Sequence, residues 1–355
     1  MKILIDIGHP AHVHLFKNFA WTMQGKGHNV FFTSREKDVA VQLLKEYGLK
    51  FVSFGKNYNN SIQKIYGLIK FTLQLFKYSV KIEPDIFLSH GSIYASIVSK
   101  LCGKPHISLE NNGNWEQIKL YLPFTDVVLT PWNLEENLGK KQIRLKTFHE
   151  MAYLRPKYFI PIKNKINALG LKNGDEYCII RLVSWNASHD IGQTGISDFL
   201  LNEIIELIEN KYRVFISSER EVPNCFKKYL IEIDSIDIHH VLSYASLCIS
   251  EGATVASEAG LLGTPTLYIN TLKRSYNLDQ ETFGTVFNCN HPSLTLNKLK
   301  YILSINNLKD KTNKGRKLLI KSRIDLTAFL VWFIENYPES KKIMRENPDY
   351  QLRFK

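Results

Sequence analysis

CISEGATVASEAGLLGTPTLYI, residues 248–269, decides how this chain is read. An apolar run ending at Ile249 has the character of a buried strand, and Ser-Glu-Gly-Ala-Thr supplies a small-residue turn. A segment of helical period follows, then Gly263-Thr264-Pro265 and a second apolar strand. The stretch is one βαβ unit. Its turn at Gly252, Ala253 and Thr254 lets backbone N–H groups at a helix N-terminus approach a ligand closely. Such a terminus carries about half a positive charge and suits phosphate. Glu258, four residues after Thr254, falls about one turn along the same face. A carboxylate there can accept hydrogen bonds from a ribose diol. Phosphate cradle and diol acceptor together describe a nucleoside-diphosphate site. A plainer alternative is a short helix capped by Thr254 with Glu258 solvated on its surface, because a short Gly-containing turn is a weak signal by itself.

The alternation of strand and helix extends outward from this unit in both directions. Towards the N-terminus, apolar strands are expected at 3–7, 28–33, 50–54, 85–89, 106–109 and 126–129, with helices near 12–25, 36–47, 61–82 and 92–101. A second series starts with strand 177–182 and continues through helix 197–209, strand 213–217 and a short helix at 224–231. Helices near 296–303 and 324–336 follow. Around 150–167 the alternation breaks, with Pro156 and Pro161 close together, and this marks the connection between domains. Such βα alternation specifies doubly wound α/β sheets. The expected domains are 1–155, 156–325 and a C-terminal helix and tail, 326–355, packing back on the first.

A length of 355 residues suits two domains, and 44% hydrophobic with 23% charged residues is an ordinary globular composition. The 46 basic and 34 acidic residues leave a net charge of +12, which favours anionic partners: nucleotide phosphates, an acidic lipid surface or nucleic acid. Lysines are dispersed and no recognition motif is present, which counts against nucleic acid. Cys102, Cys178, Cys225, Cys248 and Cys289 are scattered without a CxxC pair, as in a protein of a reducing compartment with neither a disulfide framework nor a zinc site. Met1 runs straight into the strand KILIDI, and no segment offers about 20 uninterrupted apolar residues. A cytoplasmic protein is expected, peripheral on the inner face of the cell membrane if it touches the membrane at all.

SEGATVASEAGLLGTP, residues 250–265, resembles the donor-nucleotide segment of the GT-B glycosyltransferases and their epimerase relatives. In that superfamily a Gly-rich turn binds pyrophosphate and the helix glutamate binds ribose. The chain is most similar to a bacterial and archaeal GT-B-like family whose N-terminal motif, GHPAHVHLFKN, stands here at residues 8–18. The resemblance implies a GT-B fold, two Rossmann-like domains facing across a cleft, with the donor in the C-terminal one.

His9, His12 and His14 crowd the end of the first strand and the start of the first helix, where open α/β sheets bind ligands. Their spacing across a strand-to-helix turn does not put them on one face, so no metal is expected. A neutral imidazole at a helix N-terminus, with its pKa lowered there, suits a general base instead. His12 is the first choice, His14 the second and Glu110 a further alternative; His9 and His14 can equally be capping groups. By resemblance, His12-Val13 matches the His-Val of a Gly-His-Val in the first loop of the peptidoglycan N-acetylglucosaminyltransferase, with Ala11 in place of the glycine.

The polar stretch RLVSWNASHDIGQTG, 181–195, offers Arg181 to neutralise a departing diphosphate and Ser184 to donate to it. Asn186, Ser188, His189 and Asp190 add to its polarity, and Ser197 reads as an N-cap. In the transferases it resembles, the segment after the nucleotide unit holds the donor sugar with amide side chains, which points to Asn277 and Gln280. His239-His240-Val241 would lie near the base, or form a surface turn. SHGS at 89–92 and ENNGNW at 110–115 end strands of the first domain, so His9, His90 and Asn111 are expected on the acceptor side. Helix 61–82 carries Lys64, Lys70, Lys77 and Lys81 and no acid. It is either a core helix with one solvated lysine face or a basic helix lying on an anionic membrane.

Together these features lead to an inverting glycosyltransferase that needs neither metal nor cofactor. It would use a nucleoside-diphosphate sugar, UDP-linked, and a glycan or lipid-linked saccharide acceptor, in polysaccharide biosynthesis. The alternative is a UDP-sugar 2-epimerase or hydrolase of the same fold, although Gly-His-Pro-Ala-His replaces the Gly-Thr-Arg-Pro-Glu turn of the non-hydrolysing epimerases.

Overall fold

The computed structural model describes residues 1–36, 39–56, 58, 61–172, 174–185 and 193–355. Residues 1–153 with 323–355 form one compact unit and residues 154–322 a second.

In the first unit β1 (Lys2–Ile7), α1 (Pro10–Gly25), β2 (Asn29–Glu36), α2 (Ala40–Glu46), β3 (Phe51–Lys56), α3 (Ser61–Ile82), β4 (Ile86–His90) and α4 (Ile93–Leu101) alternate along the chain. They continue as β5 (His106–Leu109), α5 (Trp115–Tyr121), β6 (Val127–Pro131) and β7 (Gln142–Leu145). All seven strands are parallel, in the order β3-β2-β1-β4-β5-β6-β7. Ile3, Leu4, Ile5 and Ile7 are buried, as in a strand covered on both faces. The order reverses between β1 and β4, the point where ligands bind in doubly wound sheets. That junction is held by a buried ion pair. Arg35 donates through Nη1 to both oxygens of Asp6, at 2.8 and 2.9 Å, and through Nη2 to the Ile7 carbonyl at 2.8 Å. Thr33 and Ser92 donate to the same carboxylate, so the charge is fully matched by donors.

The second unit runs β8 (Tyr177–Leu182), α6 (Asp198–Ile208), β9 (Arg213–Ser218), α7 (Ile238–Tyr244), β10 (Leu247–Ser250) and α8 (Ala253–Leu262). It continues with β11 (Thr266–Ile269), α9 (Ser275–Glu281), β12 (Val286–Cys289), α10 (Thr295–Ser304) and α11 (Leu308–Ser322). Its five parallel strands lie in the order β12-β11-β10-β8-β9, with the reversal between β8 and β10. Ser197 caps α6 by accepting from Leu200 N, as expected. Helix α11 packs through Gly315, where a Cβ would stand 1.8 Å from the Phe283 carbonyl oxygen.

The chain then returns to the first unit as α12 (Leu326–Glu335) and α13 (Glu339–Glu346). Thr327 donates to the Ala152 carbonyl at 2.9 Å, and Glu335 pairs with Lys26 at 2.6 Å and His28 at 3.0 Å. The stretch expected to connect the domains carries 3₁₀ turns at His149–Ala152 and Lys163–Leu169, and the two units divide within it, between Tyr153 and Leu154. The expected helix 36–47 shortens to α2, because β2 continues to Glu36.

Candidate functional site

Each sheet gathers polar groups at the C-terminal ends of its strands, around its own reversal point. In the first unit these are mostly histidines. Pro10 opens α1 and His9 is its N-cap, its Nδ1 accepting from Ala11 N at 3.2 Å. His12, one turn on, stacks on His90 from the end of β4, with ring centroids 4.4 Å apart and planes 23° from parallel. His90 meets His149 edge-on at 4.9 Å, and His90 Nε2 lies 3.1 Å from Asn111 Oδ1. His9, His12, His90 and Asn111 are thus brought together, and His149 joins them.

Burial, followed by the charges that His90, His9, His149 and Arg35 can present, holds the His12 pKa well below 6.5. Burial and His90 do the same for His149. His12 is therefore neutral at pH 7, and Gly8 N points at its Nδ1 at 3.4 Å. Among the described residues no three His, Cys, Asp or Glu groups are placed to hold a metal ion.

Two candidates for base lie elsewhere. His14 is 5% exposed on the opposite face of α1, stacked on Tyr153 at 5.5 Å with Nδ1 3.2 Å from the Tyr47 hydroxyl. Two helical residues turn a side chain through about 200°, which separates it from His12. Glu110 is 1% exposed, and its carboxylate accepts from Asn112 N, Gly113 N and the Tyr121 hydroxyl at 2.8, 3.3 and 2.8 Å. It organises the turn into α5, and neither residue suits the role expected of it.

In the second unit the turn into α8 is built as the sequence implies, but Gly252 and not Thr254 is its N-cap. No side chain among the described residues caps the first turn, which leaves its N–H groups free to serve as an anion site. Asn277 is fully buried beside it. Its Nδ2 donates to the Ala253 carbonyl at 3.2 Å, and its Oδ1 has no hydrogen-bond partner among the described residues. Glu258 is 5% exposed and lies 3.0 Å from Nε2 of His239, so it is not a solvated surface group. His239 itself is buried on α7, which corrects the surface turn.

Other donor-side candidates are placed differently. Gln280 is fully buried. Its amide donates to the Ser257 carbonyl and hydroxyl and accepts from Thr285, which commits the side chain to bracing α8. Arg181 donates to Ser217 at 2.7 Å and pairs with the Glu219 carboxylate, to which Ser184 N also donates at 3.3 Å. Its charge is already matched within the unit. Asn186, Ser188, His189 and Asp190 lie outside the described residues.

The ends of that segment meet at a residue the sequence reading passed over. Glu251, fully buried, accepts from Val183 N at 2.9 Å, Ile196 N at 2.6 Å and Arg220 at 3.0 Å. Gly195 fits against it because a Cβ there would lie 2.6 Å from Glu251 Oε1 and 2.4 Å from the Trp185 ring.

The family described as "Protein of unknown function (DUF354)" matches residues 1–327. The chain belongs to this family. No curated protein matches the sequence. Solved structures do match in shape. The S. aureus MnaA–UDP co-structure has a TM-score of 0.71 at 13% identity, over 96% of this chain and 97% of that one. The UDP-GlcNAc 2-epimerase from Neisseria meningitidis bound to UDP-GlcNAc gives 0.61 at 16%, over 91% and 99%. The spinosyn rhamnosyltransferase SpnG with spinosyn aglycone gives 0.58 at 13%, over 95% and 100%. These likenesses show the fold: GT-B, with two Rossmann-like units.

Histidines with lowered pKa values are expected to make the fold acid-sensitive. His106, fully buried between Ser89 and Thr125, has its pKa pulled by burial from 6.5 to about 3. With folded-state pKa values of His12, His106 and His149 all below 6.5, the unfolded chain binds more protons below that pH. Their contribution is fully present above 6.5 and is lost as pH falls. The loss is about 1.4 kcal/mol per pH unit for each histidine still neutral in the fold. The melting temperature is expected to drop between pH 7 and pH 5, and His106→Asn to flatten that slope; an unchanged slope would contradict the assignment.

Proposed function

We propose that the chain is an inverting, metal-independent glycosyltransferase. It moves a sugar from a UDP-linked donor to a glycan or lipid-linked saccharide, in the cytoplasm, for cell-surface polysaccharide synthesis. The observation that carries this reading is the uncapped first turn of α8 beside the unpartnered Asn277 oxygen. The turn at Gly252, Ala253 and Thr254 binds the diphosphate, Glu258 takes the ribose diol, and Asn277 Oδ1 accepts from a donor hydroxyl or amide. UDP in the S. aureus neighbour and UDP-GlcNAc in the Neisseria one support the choice of nucleotide.

His12, neutral at pH 7, takes the proton of an acceptor hydroxyl as that oxygen attacks the anomeric carbon. The bond from that carbon to the diphosphate oxygen breaks, and UDP leaves with the electron pair. The helix N-terminus stabilises the growing negative charge. Arg181 could assist only by leaving Glu219.

The second reading, a UDP-sugar 2-epimerase or hydrolase, is favoured by the match to the Neisseria epimerase. A panel of UDP-, GDP-, CMP- and dTDP-sugars, with and without a bacterial lipid-linked saccharide extract, separates the two by mass spectrometry. Acceptor-dependent release of UDP supports the transferase. Isomerisation or hydrolysis without acceptor overturns it in favour of the second reading.

A further inference from the structure

Helix α3 presents a surface that the sugar chemistry does not use. Its inner face, centred on Phe71 and Leu75, packs into a cluster with Leu4, Phe54, Phe87, Ala95 and Val98. Its outer face is apolar as well. Ile65, Tyr66, Ile69, Leu73 and Val80 are exposed at 65, 59, 58, 54 and 59%. At about 100° per residue these five fall within an arc of about 100°, and Lys77, Lys70 and Lys81 occupy the next 40° or so. Among the described side chains the other one on the arc is the partly buried Phe76, also apolar. Contiguous exposed apolar surface of this kind marks an interaction site.

We infer that this face docks on an anionic membrane surface, with α3 lying in the plane of the interface. Charge selects the occupant. The helix has no acidic residue from 61 to 82, Lys77 and Lys81 are exposed along one edge of the arc, and the first acid beyond it, Glu83, pairs with Lys2 at 3.6 Å. An acidic bilayer receives both features, the apolar arc at the acyl boundary and the lysines at the phosphates. A second copy of the chain would bring the same lysine row to an isologous contact with no carboxylate on the helix to meet it. No helix among the described residues is long and apolar enough to cross a membrane, so the contact is lateral. The inference stands apart from the identity of the sugar or the reaction.

Co-sedimentation with vesicles tests it directly. The full chain is expected to pellet with phosphatidylcholine vesicles containing phosphatidylglycerol, much less with phosphatidylcholine alone, and less as salt rises. Each lysine near an acidic surface adds about 1 kcal/mol, roughly fivefold, so Lys77→Gln with Lys81→Gln should weaken binding roughly 25-fold. Ile69→Gln with Leu73→Gln should weaken it at least about tenfold. All four side chains are solvent-facing, so both double variants should melt with the wild type. Absence of vesicle binding, or variants that bind as the wild type does, would overturn the inference. So would a wild-type dimer in sedimentation velocity that Ile69→Gln with Leu73→Gln converts to a monomer, because the face would then belong to a second copy.

Discussion

Replacing His12 with alanine is expected to lower sugar transfer about 10²–10⁴-fold, the usual contribution of a positioned general base. Donor binding should change little, because the proposed nucleotide groups are on α8 and α9 of the other unit. The effect should therefore appear in kcat, with the UDP affinity measured by calorimetry preserved. The pH profile distinguishes this role from a structural one. Burial and the surrounding histidines keep the His12 pKa well below 6.5, so its basic form persists where an ordinary histidine would already be protonated. The acid limb of kcat/KM should accordingly lie below the usual histidine range. Replacing His90, which stacks under the His12 ring, removes one cause of that depression and should move the limb upward while retaining activity. If His12→Ala keeps more than about a tenth of wild-type turnover, the base lies elsewhere.

The sequence made visible whatever was local and strongly buried. Tyr177–Leu182 and His106–Leu109 are strands buried almost throughout, and their apolar runs show it. β7 and β12 stand at sheet edges with only half their residues buried, so no run marks them. α5 and α7 have seven residues each, too few for a period to emerge. α11 buries only Thr312, Gly315 and Leu319, a face that reads as polar although it packs closely. The opposite error concerns α3, whose outer apolar arc looks like core in the sequence and is solvent-facing in the fold. At the candidate site, the turns into α1 and α8 that carry His12 and Gly252 were legible because each is a local strand-to-helix junction. His149 reaches His90 from 59 positions away, and no local signal brings it there. Gln280 and Glu110 misled for a related reason: a polar side chain at a strand or helix end serves a ligand or the backbone equally well, and only its hydrogen bonds tell which.

Glu251 is a second case in which packing alone reveals the role, and Glu251→Ala is expected to destabilise the second unit by about 3–5 kcal/mol. The carboxylate is fully buried where β10 meets the α8 turn. It accepts from Val183 N and Ile196 N, which flank the segment between β8 and α6, and from Arg220, whose Nη2 also donates to the Ile196 carbonyl at 2.7 Å. Burial pushes its pKa upward while those same donors pull it back. Truncation to alanine would orphan two backbone N–H groups and the Arg220 charge together, which is why the expected cost exceeds that of an ordinary hydrogen bond. At about 2–4 °C per kcal/mol for a unit of this size, the melting temperature should fall by about 6–20 °C. Adding Arg220→Ala should cost less than the sum of the two single changes, because no unpaired cation remains. Gly252 follows Glu251 directly, so the loss of this anchor should also loosen the proposed phosphate turn. UDP affinity should fall in Glu251→Ala even below its melting temperature, where His12→Ala leaves it intact. A variant that melts within about 1 kcal/mol of wild type and binds UDP normally would show that Arg220 and the flanking backbone hold the turn without the carboxylate.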